Sequence, residues 1–239
     1  MNKETRKLVY CDLGLIDYKE AWDLQKSVHQ LRVENKIEDI LFLLEHPHTY
    51  TLGKTAHKEN LVGDKNFLDD NKISVYDIDR GGDITYHGPG QIVGYPIISL
   101  TNWKQDTHKY LRAIEEVIIK VCSEYGLKGS RVEKYTGVWI EDRKICAIGI
   151  KVSRWITMHG FAFNVNTDLN LFNGIIPCGI TDKDVASLNR ELKKEISLVE
   201  VKEKIIHNFM SEFGYDQIEF ISKQEILELI YVNNLAEFS

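Results

Sequence analysis

The chain has 239 residues, of which 43% are hydrophobic and 28% are charged, and its formal net charge is −6 at pH 7. This length suffices for one large domain or two small ones, and the acidic balance disfavours a general nucleic-acid-binding protein. The sequence has neither a long uncharged apolar run nor a secretory signal, so we expect no membrane association. Four cysteines without a CxxC pair argue against a disulfide framework and favour a cytoplasmic protein.

Helix and strand patterns alternate through the first half of the chain. Residues 18–35 are typical of an early helix, and 39–46 ("DILFLLEH") of a buried strand. Residues 72–80 and 91–100 are rich in Ile, Val and Tyr and predict two further strands. Residues 107–126 predict an amphipathic helix, because apolar side chains recur every three or four positions before a terminal glycine.

The second half begins with a predicted hairpin. Two apolar runs within 136–152 flank the polar "EDR", and 155–166 predicts a third strand that completes a meander. Ser197 with Glu200, and Ser222 with Glu225, have the spacing of capping boxes, so a helix is expected to follow each serine. Because hairpins outnumber crossovers, we expect an α+β fold: a single domain with a mixed, largely antiparallel β-sheet flanked by helices.

The stretch "RGGDITYHGPGQ", residues 80–91, is the most unusual in the chain. Gly81 and Gly82 permit positive φ angles and let a ligand approach the backbone. Its polar side chains can donate hydrogen bonds: Arg80, Thr85, Tyr86 and His87. We expect this segment to line a pocket and bind a phosphate or a carbonyl oxygen, the alternative being an ordinary glycine-rich connection.

Nucleotide and metal motifs are not supported. The glycines do not follow the dinucleotide fingerprint, and "LGKT" at 52–55 would need an upstream glycine where the chain has His48. His46 and His48 have no third ligand at a suitable spacing, so we expect no metal site. For His159, a structural role and a place in the pocket are equally open.

Cys178 is the candidate nucleophile. It follows Pro177 and precedes Gly179, which gives it a fixed backbone on one side and a permissive one on the other. Cys122 and Cys146 lie in apolar patterns and are expected in the core. A free thiol has a pKa of about 8.5, so Cys178 needs a nearby cation or base, and Lys144 is the candidate. The spacing does not show that the two meet, and a lysine at a hairpin is usually solvated.

Three segments together carry a family resemblance: "RGGDITYHGPGQIVGYPI" (80–97), "KICAIGIKVSRWITMHGFAFNVNTDL" (144–169) and "IIPCGI" (175–180). They resemble the lipoyl(octanoyl) transferases, the octanoyl-[acyl-carrier-protein]:protein N-octanoyltransferases. The similarity extends over roughly 7–213. It implies the biotin/lipoate protein ligase catalytic-domain fold, with a catalytic domain at 1–214. The resemblance implies nothing for residues 215–239, which we expect to be a C-terminal extension with a short helix.

The resemblance also implies an activity. Members of the family transfer an octanoyl group from octanoyl-acyl carrier protein to a lysine of lipoyl domains, in 2-oxoacid dehydrogenase complexes and the glycine cleavage H protein. The acyl-thioester cysteine falls on Cys178, and the lysine that activates it falls on Lys144. The family's substrate-binding positions fall on Arg80, Gly81, Gly82, Asp83, Ile84, Thr85, Tyr86 and His87, on Ala147, Ile148 and Gly149, and on Gly160, Phe161 and Ala162. No cofactor is implied, because thioester-to-amide transfer is downhill without ATP, and we expect a monomer.

Three other functions stay open. An ATP-dependent lipoate–protein ligase would have the same fold without a nucleophilic cysteine. A cysteine hydrolase would release free octanoate. A non-catalytic module could bind an acyl carrier protein through residues 128–154, where seven lysines and arginines outnumber three acidic residues.

Overall fold

The computed structural model describes residues 5–133, 135–176 and 184–235. The strands are β1 Lys7–Leu15, β2 Asp39–Glu45, β3 Thr49–Leu52, β4 Ser74–Asp77, β5 Ile84–His87, β6 Gln91–Ile97, β7 Gly129–Val132, β8 Tyr135–Ile140, β9 Arg143–Ser153, β10 Ile156–Asn164 and β11 Gln217–Phe220. The α-helices are α1 Tyr18–Val33, α2 Lys65–Asp70, α3 Thr107–Glu124, α4 Leu188–Leu192, α5 Leu198–Phe213 and α6 Lys223–Leu235. Short 3₁₀ helices cover Lys58–Asn60 and Leu169–Gly174.

The predicted helix starts are confirmed by their caps. The Ser197 hydroxyl accepts a hydrogen bond from the Glu200 N–H, which satisfies one of the free donors at the start of α5. Before α6, Ser222 and Glu225 bond reciprocally: the Ser222 N–H donates to the Glu225 carboxylate, and the Glu225 N–H donates to the Ser222 hydroxyl.

The large sheet has the strand order β11-β1-β2-β6-β10-β9-β8-β7. β1 pairs in parallel with β2 and β11, and every other neighbouring pair is antiparallel. The expectation of a mixed, largely antiparallel sheet is therefore confirmed. The sequence did not predict β1 or β11. The four residues of β11 are too few to show a pattern, and they pair with β1 at the edge of the sheet.

Helices cover both faces of the large sheet. On one face, α3 and α5 pack over a large apolar cluster that includes Phe161, Phe163 and Phe209. On the other face, α1 covers a second cluster that includes Phe42. A smaller sheet, β4-β3-β5, has a cluster of its own around Tyr50.

The segment after residue 214 contributes a strand and a helix. β11 extends the large sheet beside β1, and α6 packs near α1 and buries Ile226. The division of the chain at residue 214 stays a prediction. Across the part of the chain that the structure describes, no helix is long and apolar enough to cross a membrane.

Candidate active site

A cavity of about 680 Å³ is lined by residues of both sheets. It brings together most of the residues that the sequence singled out: Arg80, Gly81, Gly82, Asp83, Ile84, Thr85, His87, Lys144, Ala147, Ile148, Gly149, Gly160, Phe161 and Ala162. Residues 80–87 and the β9–β10 hairpin, which are far apart in the chain, therefore line one cavity. Cys178 lies outside the residues that the structure describes.

Tyr86 is the one described member of the predicted set that does not line the cavity. Its ring packs 5.1 Å from that of Phe172 and 5.9 Å from that of Tyr50, inside the cluster of the small sheet. Its hydroxyl lies 2.8 Å from His48 Nδ1. Successive side chains of a strand point to opposite faces, so Tyr86 is turned away from the side that His87 occupies.

Small residues form one wall of the cavity. Ala147 on β9 pairs with Ala162 on β10, and two positions along, Gly149 pairs with Gly160. A Cβ atom on Gly149 would lie 2.9 Å from the Arg80 side chain, so this glycine lets the turn at residues 80–83, the glycine-rich turn, lie directly on β9. The Gly81 N–H donates to the Ile150 carbonyl at 2.9 Å, which holds the turn there.

Arg80 is a buried cation in this turn, with 7% of its surface exposed. Its Nη2 donates to both the backbone carbonyl and the hydroxyl of Thr51, each at 2.9 Å. These bonds tie the glycine-rich turn to β3. The chain places a positive charge beside the cavity where an oxygen of a ligand could be bound.

Asp79 joins the turn to both β9 and β10. Its carboxylate lies 2.9 Å from His159 Nε2 and 2.5 Å from Lys151 Nζ. The bonds to His159 and Lys151 hold the pKa of Asp79 far below its usual range. Burial lowers the pKa of His159, so this imidazole is neutral and donates through Nε2 to Asp79. His159 combines the two roles left open above, because it lines the cavity and holds Asp79.

Aromatic rings and histidines pack at the junction of α1 with both sheets. Tyr18 stacks on His87 at 5.7 Å and on Tyr76 at 5.4 Å. His46 bridges the Ile16 carbonyl and the Tyr95 hydroxyl, each at 2.8 Å. Because a carbonyl only accepts, Nδ1 of His46 donates to Ile16 and Nε2 accepts from Tyr95. Burial lowers the pKa of His46 to about 4.

Lys144 is largely buried, with 9% of its surface exposed, and lines the cavity. Its Nζ lies 4.8 Å from the centre of the Trp139 ring, a cation–π contact. The general tendency of a hairpin lysine to be solvated does not hold here. Its backbone is bonded on both sides: its N–H donates to the Asp184 carbonyl at 3.0 Å, and its carbonyl accepts from the Ala186 N–H at 2.9 Å.

The described residues on either side of 177–183 are bonded to different parts of the site. Asp184 and Ala186 pair with Lys144. At the other end, the Ile176 N–H donates to the Asn60 carbonyl at 2.8 Å. Asn60 in turn donates to the Asp83 carboxylate at 2.5 Å, within the glycine-rich turn.

Cys122 and Cys146 are core residues, as expected. Cys122 and Cys146 are fully buried, and burial raises the pKa of both thiols, that of Cys122 to about 12. Cys11 is also fully buried. These thiols stay protonated at neutral pH and are unsuited to nucleophilic attack.

Several basic side chains of residues 128–154 are paired with acidic side chains. Arg131 binds Glu115 and Glu116, Arg143 binds Glu191, and Lys151 binds Asp79. Lys134 lies outside the described part of the chain. A docking role for this surface stays a prediction.

Several residues that line the cavity were not predicted from the sequence: Tyr18, Thr55, His57, Val93, Tyr95, Leu111, Tyr135, Thr136 and Ile150. They come from α1 and α3, from β6, β8 and β9, and from loops, and each resembles an ordinary core or surface residue in its own segment. Only for Val93 and Tyr95 was there a signal, because they follow the glycine-rich stretch on a fully buried strand.

Comparison with known proteins gives consistent matches. A family model described as the lipoyl protein ligase A/B catalytic domain matches residues 17–210. A protein named octanoyltransferase from Christiangramia forsetii is 50% identical over 230 residues, which cover 89% of this chain and 97% of that protein. Another octanoyltransferase, from Caldicellulosiruptor saccharolyticus, is 46% identical over 228 residues, which cover 95% of this chain and 97% of that protein.

Solved structures agree on the fold. A bipartite lipoate protein ligase from Thermoplasma acidophilum matches with a TM-score of 0.71 and 18% identity, over 96% of this chain and 91% of that one. A lipoate-protein ligase A structure with bound ATP matches with a TM-score of 0.71 and 17% identity, over 95% and 93% of the two chains. The expected lipoate ligase-like fold is confirmed. The chain belongs to the lipoyl protein ligase A/B catalytic-domain family.

Proposed function

We propose that this chain is an octanoyltransferase that moves an octanoyl group from octanoyl-acyl carrier protein to a lysine of lipoyl domains. One observation carries the proposal. A chain that is 46–50% identical to relatives named octanoyltransferase has one cavity that joins its glycine-rich turn, its small-residue wall and a largely buried lysine. Lipoyl domains are the acceptors we favour, because the Thermoplasma acidophilum ligase of the same fold is described with its E2 lipoyl domain as a lipoylation system.

The mechanism assigns the first chemical step to Cys178 and Lys144. Lys144 takes the proton of the Cys178 thiol, and the thiolate attacks the octanoyl thioester carbonyl. The carrier's thiol leaves with a proton, and an octanoyl thioester forms on Cys178. The described residues support this step indirectly. The backbone of Lys144 is paired with residues 184–186, which begin six residues after Cys178.

The second step forms the product amide. The acceptor lysine, after losing a proton to Lys144, attacks the thioester carbon, and the Cys178 thiolate leaves. An amide is more stable than a thioester, so the transfer needs no nucleotide. Buried N–H donors stabilise negative charge that develops on the carbonyl oxygen, and we assign this role to the glycine-rich turn or to backbone amides near Cys178.

The acyl chain is assigned to the small-residue wall. Ala147, Ala162 and Gly160 leave room on one face of the sheet. Each methylene that leaves water contributes about 0.8 kcal/mol to binding. The side chains at these positions would therefore set which chain lengths bind well.

An ATP-dependent lipoate–protein ligase is the second candidate. A structural neighbour has bound ATP, but its 17% identity supports only the shared fold. A Cys178→Ala variant with full ATP-dependent ligation would favour the ligase.

The proposal is tested by mixing the purified protein with octanoyl-acyl carrier protein, without ATP, and measuring its intact mass. We expect one octanoyl adduct that maps to Cys178 and that a lipoyl domain discharges. If modification of the lipoyl domain requires ATP and free octanoate, the proposal is wrong. We place the reaction in the cytoplasm, consistent with cysteines that show no disulfide framework.

A further inference from the structure

A chain of buried amide hydrogen bonds connects two parts of the cavity wall. Gln91 and Asn164 are paired across β6 and β10, and they are only 1% and 3% exposed. Gln91 Nε2 donates to Asn164 Oδ1 at 3.0 Å. Neither residue lines the cavity.

One end of this chain holds His87, which does line the cavity. Gln91 Nε2 also donates to the Tyr86 carbonyl at 3.1 Å, and this contact fixes the amide orientation because a carbonyl only accepts. Gln91 Oε1 therefore faces His87 Nδ1, at 2.9 Å. An oxygen can only accept there, so His87 carries a proton on Nδ1. Burial lowers the pKa of His87 well below its usual value, so the ring is neutral and its Nε2 holds a lone pair.

The other end holds the strand that carries Lys144. Asn164 Nδ2 donates to the Ala186 carbonyl at 3.0 Å, and the Ala186 N–H donates to the Lys144 carbonyl at 2.9 Å. Every contact in the chain has a defined donor and acceptor. Reversing either amide would place a nitrogen against a donor or an oxygen against a carbonyl.

We propose that Gln91 and Asn164 are positioning residues, which fix the tautomer of His87 and the 184–186 segment that pairs with Lys144. His87 Nε2 then accepts from the Thr51 hydroxyl at 3.5 Å, and the same hydroxyl oxygen accepts from Arg80 Nη2. The tautomer of His87 therefore also orients the group that holds Arg80. The expected change in kcat rests on the proposed octanoyl transfer. The expected tautomer of His87 rests on the hydrogen bonds alone.

The test compares Asn164→Ala and Asn164→Asp with the unchanged protein. Asn164→Asp keeps the oxygen that Gln91 needs and removes the donor to Ala186. The matched control is Asn208→Ala, because Asn208 is also buried and donates through Nδ2 to a backbone carbonyl, that of Lys204 in α5. Octanoyl transfer is followed at varied concentrations of octanoyl-acyl carrier protein, and unfolding midpoints are recorded for every variant.

We expect both Asn164 variants to lower kcat by about 10- to 100-fold, because small displacements of reacting groups are costly. KM should stay within about twofold, and Asn208→Ala should leave both constants within about twofold of the unchanged protein. In addition, ¹⁵N NMR of the ring of His87 should show the Nδ1–H form in the unchanged protein and a mixture of forms in Gln91→Met, which removes the oxygen that Nδ1 faces.

Two results would overturn the inference. One is an Asn164→Asp protein, folded at the assay temperature, with unchanged kcat. The other is a His87 ring protonated on Nε2 in the unchanged protein. If the unchanged protein shows no octanoyl transfer at all, the proposed function fails instead, and the NMR measurement still decides the tautomer.

Discussion

The carboxylate of Glu115, on α3, accepts a hydrogen bond of 3.1 Å from the backbone N–H of Gly137. Gly137 has a φ of +125°, and a Cβ atom there would lie 2.5 Å from the Cys146 carbonyl. The register of β8 against β9 shifts just after it, between Val138 and Trp139. A buried helix side chain therefore stabilises an irregular strand whose first residues, Tyr135 and Thr136, line the cavity.

Removing this carboxylate should destabilise the fold. Glu115 is 1% exposed and also binds Arg112 and Arg131. Glu115→Ala leaves the Gly137 N–H without its acceptor, so we expect the free energy of unfolding to fall by about 3 kcal/mol in urea denaturation. Its neighbour Glu116 pairs with Arg131 at the surface, and Glu116→Ala should cost less than about 1 kcal/mol. Equal losses for the two variants would contradict this role for Glu115.

Lys144→Met should remove most of the transferase activity. Methionine keeps an unbranched side chain in the same space but has neither charge nor basicity, so acyl-enzyme formation should slow by about 100-fold or more at neutral pH. The measurement is the rate at which octanoyl label appears on the protein. Lys120→Met is the control, because Lys120 pairs with Glu212 outside the cavity and should retain full activity. An unchanged rate for Lys144→Met would exclude the proposed role of Lys144.

Gly149→Ala should weaken substrate binding. The new Cβ would lie 2.9 Å from both the Arg80 side chain and the Gly81 carbonyl, so the glycine-rich turn must move away from β9. We expect KM for octanoyl-acyl carrier protein to rise by about tenfold, which corresponds to about 1.4 kcal/mol. Gly81→Ala is the matched control, since its nearest contact would be 3.4 Å, from the Ile150 carbonyl. A larger effect for Gly81→Ala would refute this explanation.

Stability should fall as the pH drops below neutrality. Burial lowers the pKa of four histidines in the folded protein: His29, His46, His87 and His159. The unfolded chain takes up protons near pH 6.5, whereas the folded chain resists protonation until lower pH, about 4 for His46. The contribution of each histidine is therefore complete above about pH 6.5 and is lost as the pH falls toward its folded pKa.

A histidine whose folded pKa lies well below 6.5, such as His46, adds a slope that approaches about 1.4 kcal/mol per pH unit between its folded and unfolded pKa values. Urea denaturation at several pH values between 7.5 and 4.5 measures the total slope. His46→Asn should reduce it by the share of one histidine, and substitution of the exposed His108 should leave it unchanged. A slope that His46→Asn does not alter would show that this ring titrates normally in the folded protein.

Much of the fold could be predicted from local patterns. The long helices α1 and α3, the hairpin of β8 and β9, and the caps of α5 and α6 all depend on contacts between residues close in the chain. The parallel strands β1 and β11 could not be predicted in the same way. Their pairing joins Lys7 to Gln217, and no local signal records a partner so far away.

The sequence by itself determined which chemical groups are available. They are the glycine-rich stretch 80–91 with Arg80 and His87, small residues on β9 and β10, Lys144, and the cysteine of the Pro-Cys-Gly sequence. The tertiary structure decided which of these groups meet. It turned Tyr86 away from the cavity, buried Lys144 against Trp139, and brought Asn164 into contact with Ala186. Strand pairing and side-chain packing set these distances, and both depend on residues far apart in the chain.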